Sequence, residues 1–356
     1  MKYSNKLLMK GNEAVVFGAL LAGCDCYFGY PITPASEIAQ TAAEYFPKLN
    51  RTFLQAECET GAINMVMGAV AAGRRAMTAS SGLGISLKQE GVSYLATMEL
   101  PCVIVDIMRG GPGLGNIAPE QSDYNQVVKG GGHGGYKVIV LAPSSAQEMC
   151  DFAALAFDLA DQYRTPVYIL ADGVIGQMLE SVTLPEPLPR RESPEWALDH
   201  KVNPRTNYLT SIYLENDELE ALNHKLNARY AEIQEKEQRA EEYLLDDAEI
   251  VIAGFGICGR IIRTAVEQLR KEGIKAGMIR PITLFPFPSD VFRRVTPLVS
   301  EFVCVEMNNG QMVDDIRLNI ECAKPVKLIN RMGGNLPTVE DVVKYCREKC
   351  AKEGVR

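Results

Sequence analysis

Three histidines and one tryptophan stand in 356 residues, and no two cysteines occur at C-x-x-C spacing. His133, His200 and His224 are far apart in sequence, which argues against a histidine-based metal site. A four-iron cluster needs four closely spaced thiolates, and the scattered cysteines offer no such set, so no metal or iron–sulfur cluster is expected in this chain. No run of about 18 apolar residues exists, which excludes a membrane-spanning helix. An excess of positive charge is also missing. Lys and Arg number 37 against 45 Asp and Glu, a net charge of −8, whereas a general nucleic-acid binder needs a basic face. The opening Met1-Lys2-Tyr3-Ser4-Asn5-Lys6 leads into only three apolar residues, so a signal peptide is not expected. The cysteines, several in strand-like runs such as those around Cys102 and Cys304, read as reduced core thiols of a cytoplasmic protein.

What is present is an ordinary globular composition, 47% hydrophobic and 23% charged, long enough for two domains. Residues 1–180 alternate strand and helix patterns. The clearest strand is Pro101–Met108, apolar enough to be buried on both faces, and the pattern implies a parallel sheet covered by helices. Residues 181–246 read as a Pro-rich linker followed by a charged helix over 213–244. Residues 247–356 form a second, smaller α/β unit.

Several motifs carry possible chemistry. Gly254-Phe255-Gly256-Ile257-Cys258-Gly259 matches G-x-G-x-x-G between a strand and a helix, the context for dinucleotide binding. The acid expected at the end of the next strand is replaced by Arg280, which suits a 2′-phosphate; the plain alternative is a tight turn that needs small residues. Ala171-Asp172-Gly173 lacks the first glycine of the G-D-G that begins a diphosphate and Mg²⁺ site. Tyr30-Pro31-Ile32-Thr33-Pro34 follows a short strand, and its prolines fix a loop around one hydroxyl, unless Thr33 merely caps the next helix. Glu57 and Glu59 stand at the start of a helix that is otherwise free of charge until Arg74, where dipole compensation is the plain alternative. Arg109 leaves the buried strand into Gly110-Gly111-Pro112-Gly113-Leu114-Gly115. It can clamp a carboxylate or simply pair with an acid such as Glu120.

Together these residues resemble the alpha subunit of the 2-oxoacid:ferredoxin oxidoreductases. The likeness runs through Met9–Ala14, Tyr30–Pro34, Ser86–Gly91, Met108–Pro112 and Pro281–Pro288. It implies a thiamine-diphosphate-binding-type, pyrimidine-domain-like parallel-sheet domain followed by a transketolase-C-terminal-like α/β domain. In such a family thiamine diphosphate lies between two subunits, and the missing G-D-G fits a chain that faces the aminopyrimidine while its partner holds Mg²⁺. The resemblance implies a beta subunit, a gamma subunit and a ferredoxin-like iron–sulfur subunit as partners, with coenzyme A and ferredoxin as acceptors, and a chain inactive alone. It gives Glu59 the contact to the pyrimidine, nine residues before Gly68 of Gly68-Ala69, with Glu57 as the alternative. Tyr30, Pro31 and Ile32 would line the cofactor, Thr33 would bond a substrate oxygen, and Arg109 would bind the 2-oxoacid carboxylate. No second cation occurs between Arg109 and Lys129, which favours a branched-chain substrate such as 2-oxoisovalerate over 2-oxoglutarate. An NAD(P)-dependent dehydrogenase using Gly254–Gly259 is the competing reading from another class.

Overall fold

A computed structural model describes residues 6–198 and 207–353; Met1–Asn5 and His200 lie outside the described residues. The first part of the chain runs β1 (Lys6–Lys10), α1 (Gly11–Leu21), β2 (Cys26–Gly29), α2 (Ser36–Lys48), β3 (Thr52–Gln55), α3 (Glu59–Ala71), β4 (Ala76–Ser80), α4 (Leu83–Thr97) and β5 (Val103–Met108). It continues with α5 (Tyr124–Val128), β6 (Ile139–Leu141), α6 (Ala146–Tyr163), β7 (Val167–Asp172), α7 (Gly173–Gln177) and β8 (Leu179–Thr183). Then come α8 (Asn216–Lys236), β9 (Ala240–Tyr243), β10 (Ile250–Ala253), α9 (Ile257–Lys271), β11 (Ala276–Pro281) and β12 (Thr283–Phe285). The last elements are α10 (Ser289–Val295), β13 (Glu301–Glu306), α11 (Met312–Asn319), β14 (Val326–Asn330) and α12 (Val339–Glu353).

The larger sheet has the order β12-β6-β7-β5-β4-β2-β3 and is parallel except for β12. The smaller sheet, β14-β13-β10-β11-β9, is parallel except for its edge strand β9. Strands such as Val103–Met108 are buried on both faces because helices cover both sides. One apolar cluster joins α1, α2 and α6 to α9. The other joins α3 and α4 to α10 and α11, so each core passes from one sheet to the other. Seven cysteines (24, 26, 102, 150, 258, 304 and 346) are buried thiols.

Short strands cross the expected boundaries. β12 falls within 247–356, yet it pairs with β6 in the larger sheet. The expected helix over 213–244 ends at Lys236, and Ala240–Tyr243 is instead an edge strand on β11. Its Glu-rich composition favours a helix, but Glu241 meets Arg263 and Arg280 only from the strand, so tertiary pairing overrides propensity. The Pro-rich segment begins as β8, paired with β1, and continues as an arm over the first domain. Leu188 donates to the Leu21 carbonyl at 2.7 Å, and the Arg164 guanidinium lies 4.6 Å from the Trp196 ring.

Parallel strands bring their carboxyl ends to one edge. The segments after β2, β4 and β5 therefore meet there, carrying Tyr30–Pro34, Ser81–Gly82 and Arg109.

Candidate active site

Arg109 and Thr33, 76 residues apart in sequence, are joined directly. One Arg109 nitrogen donates to the Thr33 carbonyl at 3.1 Å and another to the Leu114 carbonyl at 3.2 Å. Arg109 does not pair with Glu120, whose carboxylate instead accepts the backbone N–H groups of Gly111 and Gly333. Thr33 does not cap α2 either; the residue at the cap is Ala35, and the Thr33 side chain is exposed. Tyr30 and Pro31 are also exposed, with Ile32 half-buried behind them.

Glu59 is the first residue of α3 and is 6% exposed, whereas Glu57 is exposed. A charge that only compensated a helix dipole would stay in water, since burial is costly for an ionised carboxylate. Its surroundings are crowded on one side: a Cβ at Gly84 would collide with Glu59 Oε1 and Ser80 Oγ. The carboxylate accepts no hydrogen bond from any described residue, although Lys88 lies close by. Lys88 is fully buried on α4, with its ammonium 3.1 Å from Thr78 Oγ1 and 3.4 Å from the Glu59 carbonyl. Burial pushes its pKa down to about 8, and the nearby Glu59 charge pulls it back up.

The turn into α4 links the two halves of the site. Gly84 faces Glu59, while Gly82 faces the Arg109 side chain. Gly82 has φ 47°, a left-handed conformation that costs glycine nothing. Arg109, Gly82, Leu83, Gly110–Gly113, Glu120, Asp123 and residues from the smaller domain enclose a cleft of about 550 Å³. The second domain reaches it through Asn308, Asn309, Gln311 and Met332. Backbone and side-chain bonds fasten this wall: Gln121 N–H to the Met307 carbonyl, Asn308 to the Gln121 carbonyl, and Gln311 to the Ser122 carbonyl.

Large apolar side chains are exposed around the same edge. Leu83 lines the cleft, Leu87 accepts the Thr60 hydroxyl through its carbonyl, and Leu114 receives Arg109 through its own. Tyr30, Leu54 and Ile117 are further large apolar side chains left exposed.

The Gly254–Gly259 turn is not a dinucleotide site. The Ile257 N–H at the start of α9, where a diphosphate would bind, is taken at 2.8 Å by the buried carboxylate of Asp172. A Cβ at Gly256, which has φ 56°, would strike that carboxylate. Arg280 is buried between Glu148 and Glu241, and cannot receive a 2′-phosphate. The Asp172 that the sequence places in a near-G-D-G is thus an interdomain helix cap.

Sequence reasoning gave Lys88, Asp106 and Asp123 no role of their own, although Lys88 lies in the Ser86–Gly91 stretch of the resemblance and Asp123 ends the loop from Gly110 expected to shape the substrate pocket. The signal for Asp106 was present, a single acid inside an apolar strand, and so was that for Lys88, the one cation of α4.

Two family models match the chain in succession. Residues 17–242 match the family model described as pyruvate flavodoxin/ferredoxin oxidoreductase, thiamine diphosphate-binding, and residues 248–342 match pyruvate:ferredoxin oxidoreductase core domain II. The chain is 58% identical over 342 residues to the ketoisovalerate oxidoreductase subunit VorB of Methanothermobacter thermautotrophicus, covering 96% of this chain and 97% of that one. It is 37% identical over 361 residues to the 2-oxoglutarate synthase subunit KorA of Methanocaldococcus jannaschii, covering 94% and 97%. Among solved structures, the 2-oxoglutarate:ferredoxin oxidoreductase of Magnetococcus marinus, with 2-oxoglutarate, coenzyme A and succinyl-CoA bound, superimposes with a TM-score of 0.89 at 26% identity. That match covers 98% of this chain and 66% of the longer one. A split-gene transketolase shares the fold alone, with a TM-score of 0.60 at 15% identity over 95% of this chain and 96% of that one.

Proposed function

The chain belongs to the 2-oxoacid:ferredoxin oxidoreductases, and from that premise we propose that it is the alpha subunit of a complex that oxidatively decarboxylates 2-oxoisovalerate. The products are CO₂ and the acyl-coenzyme A, and the electrons pass to ferredoxin. The complex works in the cytoplasm. A beta subunit holds the diphosphate and Mg²⁺ of thiamine diphosphate, while a gamma subunit and a ferredoxin-like subunit, which carries the iron–sulfur clusters, complete it.

The residues present fit the aminopyrimidine end of that cofactor. Glu59 offers a buried carboxylate without a donor among the described residues, and only a glycine at position 84 leaves room for it. Bound thiamine diphosphate supplies the carbon nucleophile that a 2-oxoacid needs. Glu59 holds the proton at the pyrimidine N1′. Tyr30, Pro31 and Ile32 wall the cofactor in. Arg109 binds the substrate carboxylate with its planar fork, and Thr33 bonds a substrate oxygen. Leu83, Leu87 and Leu114 exclude water once a partner covers them.

The observation that carries the branched-chain reading is the charge of the cleft. Arg109 is the one cation among its described lining residues, and the acids there are Glu120 and Asp123. A second substrate carboxylate would meet negative charge, whereas an aliphatic side chain finds Leu83, Pro112 and Met332. The test is anaerobic viologen reduction by the co-expressed complex, with coenzyme A and thiamine diphosphate. Preference for 2-oxoisovalerate over 2-oxoglutarate and pyruvate is expected. Preference for 2-oxoglutarate would keep the family and overturn the substrate, and no reduction by an intact, cluster-loaded complex would overturn the activity.

A further inference from the structure

Strand β5 carries a charge where its neighbours are apolar. Asp106 is fully buried, and neither carboxylate oxygen accepts a hydrogen bond from any described donor. A buried acid in that state is rare enough to need an explanation. The group it meets is the carboxyl of Asp123, near enough for a side-chain hydrogen bond between the two acids. Two carboxylates in contact cannot both stay ionised in a buried site; one proton between them makes one the donor and the other the acceptor.

The two acids are not equivalent. Asp106 is sealed beneath the sheet surface, with Tyr168 of β7 near it. Asp123 lines the cleft, and its Oδ2 accepts the Gly82 N–H at 3.2 Å. Burial drives the Asp106 carboxyl well above the usual range. Burial also pushes Asp123 up, to about 6, where Glu120 adds to the rise while the Gly82 N–H, the Asp106 hydrogen bond and Arg109 oppose it. Near neutral pH this leaves a neutral Asp106 donating to an ionised Asp123 that faces the cleft.

We propose that Asp106 and Asp123 share one proton, and that Asp123 is the base that takes the thiol proton when the acyl group passes to coenzyme A. This rests on the function given above. The acyl carbon is the one that was bonded to the carboxylate held by Arg109, so the attacking sulfur comes to rest beside Arg109, in the cleft that Arg109 and Asp123 line together. The S–H bond breaks and its proton goes to Asp123. The sulfur–carbon bond forms as the acyl group leaves its carrier, and no electrons are gained or lost. Asp106 is a positioning residue that keeps Asp123 ionised and aimed.

The experiment uses the assembled complex and its Asp123→Asn, Asp123→Glu and Asp106→Asn variants. Infrared spectra at neutral pH are expected to show the carbonyl stretch of a protonated carboxyl in the wild type and to lose it in Asp106→Asn. In single-turnover kinetics, Asp123→Asn is expected to slow thiol-dependent acyl-coenzyme A formation about 100-fold more than the preceding substrate-dependent cluster reduction, the low end for loss of a general base. Asp123→Glu recovers part of that loss. An unchanged carboxyl band in Asp106→Asn, or equal slowing of both steps in Asp123→Asn, overturns the proposal. Failure of the function itself reads differently, since the clusters of the wild-type complex would then stay oxidised with every 2-oxoacid while the infrared result stood alone.

Discussion

Asp172 Oδ2 accepts the Ile257 N–H at 2.8 Å, tying the end of β7 to the start of α9. The other oxygen of the same carboxylate accepts the N–H groups of Val174 and Ile175, so one buried acid caps two helices from two domains. Burial raises its pKa, and the three backbone donors and Gln121 pull it back. The glycine turn beside it is therefore a close-packing device, with its anion position already filled by the protein.

Two results follow. NADPH fluorescence should not change on titration with this chain up to about 1 mM, the edge of measurable affinity. Asp172→Ala should cost roughly 2–4 kcal/mol in denaturant unfolding, because two buried N–H groups and one half-buried one lose their acceptor. An NADPH response in the wild type would reopen the dehydrogenase reading.

The two candidate acids at α3 should separate cleanly. Glu59 is buried beside Gly84, while Glu57 is exposed. In the assembled complex Glu59→Gln is expected to reduce turnover by about 100-fold or more, and Glu57→Gln by less than about threefold. Steady-state viologen reduction measures both. The reverse ranking would move the cofactor contact to Glu57.

How far the sequence reached depended on the range of the interactions. The strand Val103–Met108, expected over Pro101–Met108, was legible because an apolar run is a local signal. β9 and β12 were not, since four and three residues carry little pattern and their places are set by partners up to about 140 residues away. Thr33, Glu59 and Arg109 could be picked out as residue types at strand ends. The pairing of Asp106 with Asp123, and the seating of Lys88 under Glu59, exist only once β4, β5 and α4 are packed.

Arg109 donates through its planar fork to two carbonyls, of Thr33 and Leu114. A lysine has the charge but not the planar pair of donors. Arg109→Lys is expected to raise KM for the 2-oxoacid about 10–100-fold while kcat falls less, as befits an anchor for the carboxylate. Initial-rate kinetics across substrate concentration decide it. An unchanged KM would mean that the carboxylate binds elsewhere.

Lys88 gives a pH signature with a definite sign. Its ammonium is pushed from 10.5 down to about 8 by burial, with the Glu59 charge acting in opposition. Between about pH 8 and 10.5 the unfolded chain keeps a proton at this position that the folded chain has released. The unfolded state then binds more protons, so this residue makes stability rise with pH across that window; below pH 8 the full cost of burying the charge is present. Lys88→Met, which fills a similar volume without charge, should flatten that component, so the gap in Tm between variant and wild type should shrink as pH rises from about 8 to 10. A gap that stays constant over this range would mean that Lys88 keeps an ordinary pKa in the folded chain, and that Glu59 has no titrating neighbour beneath it.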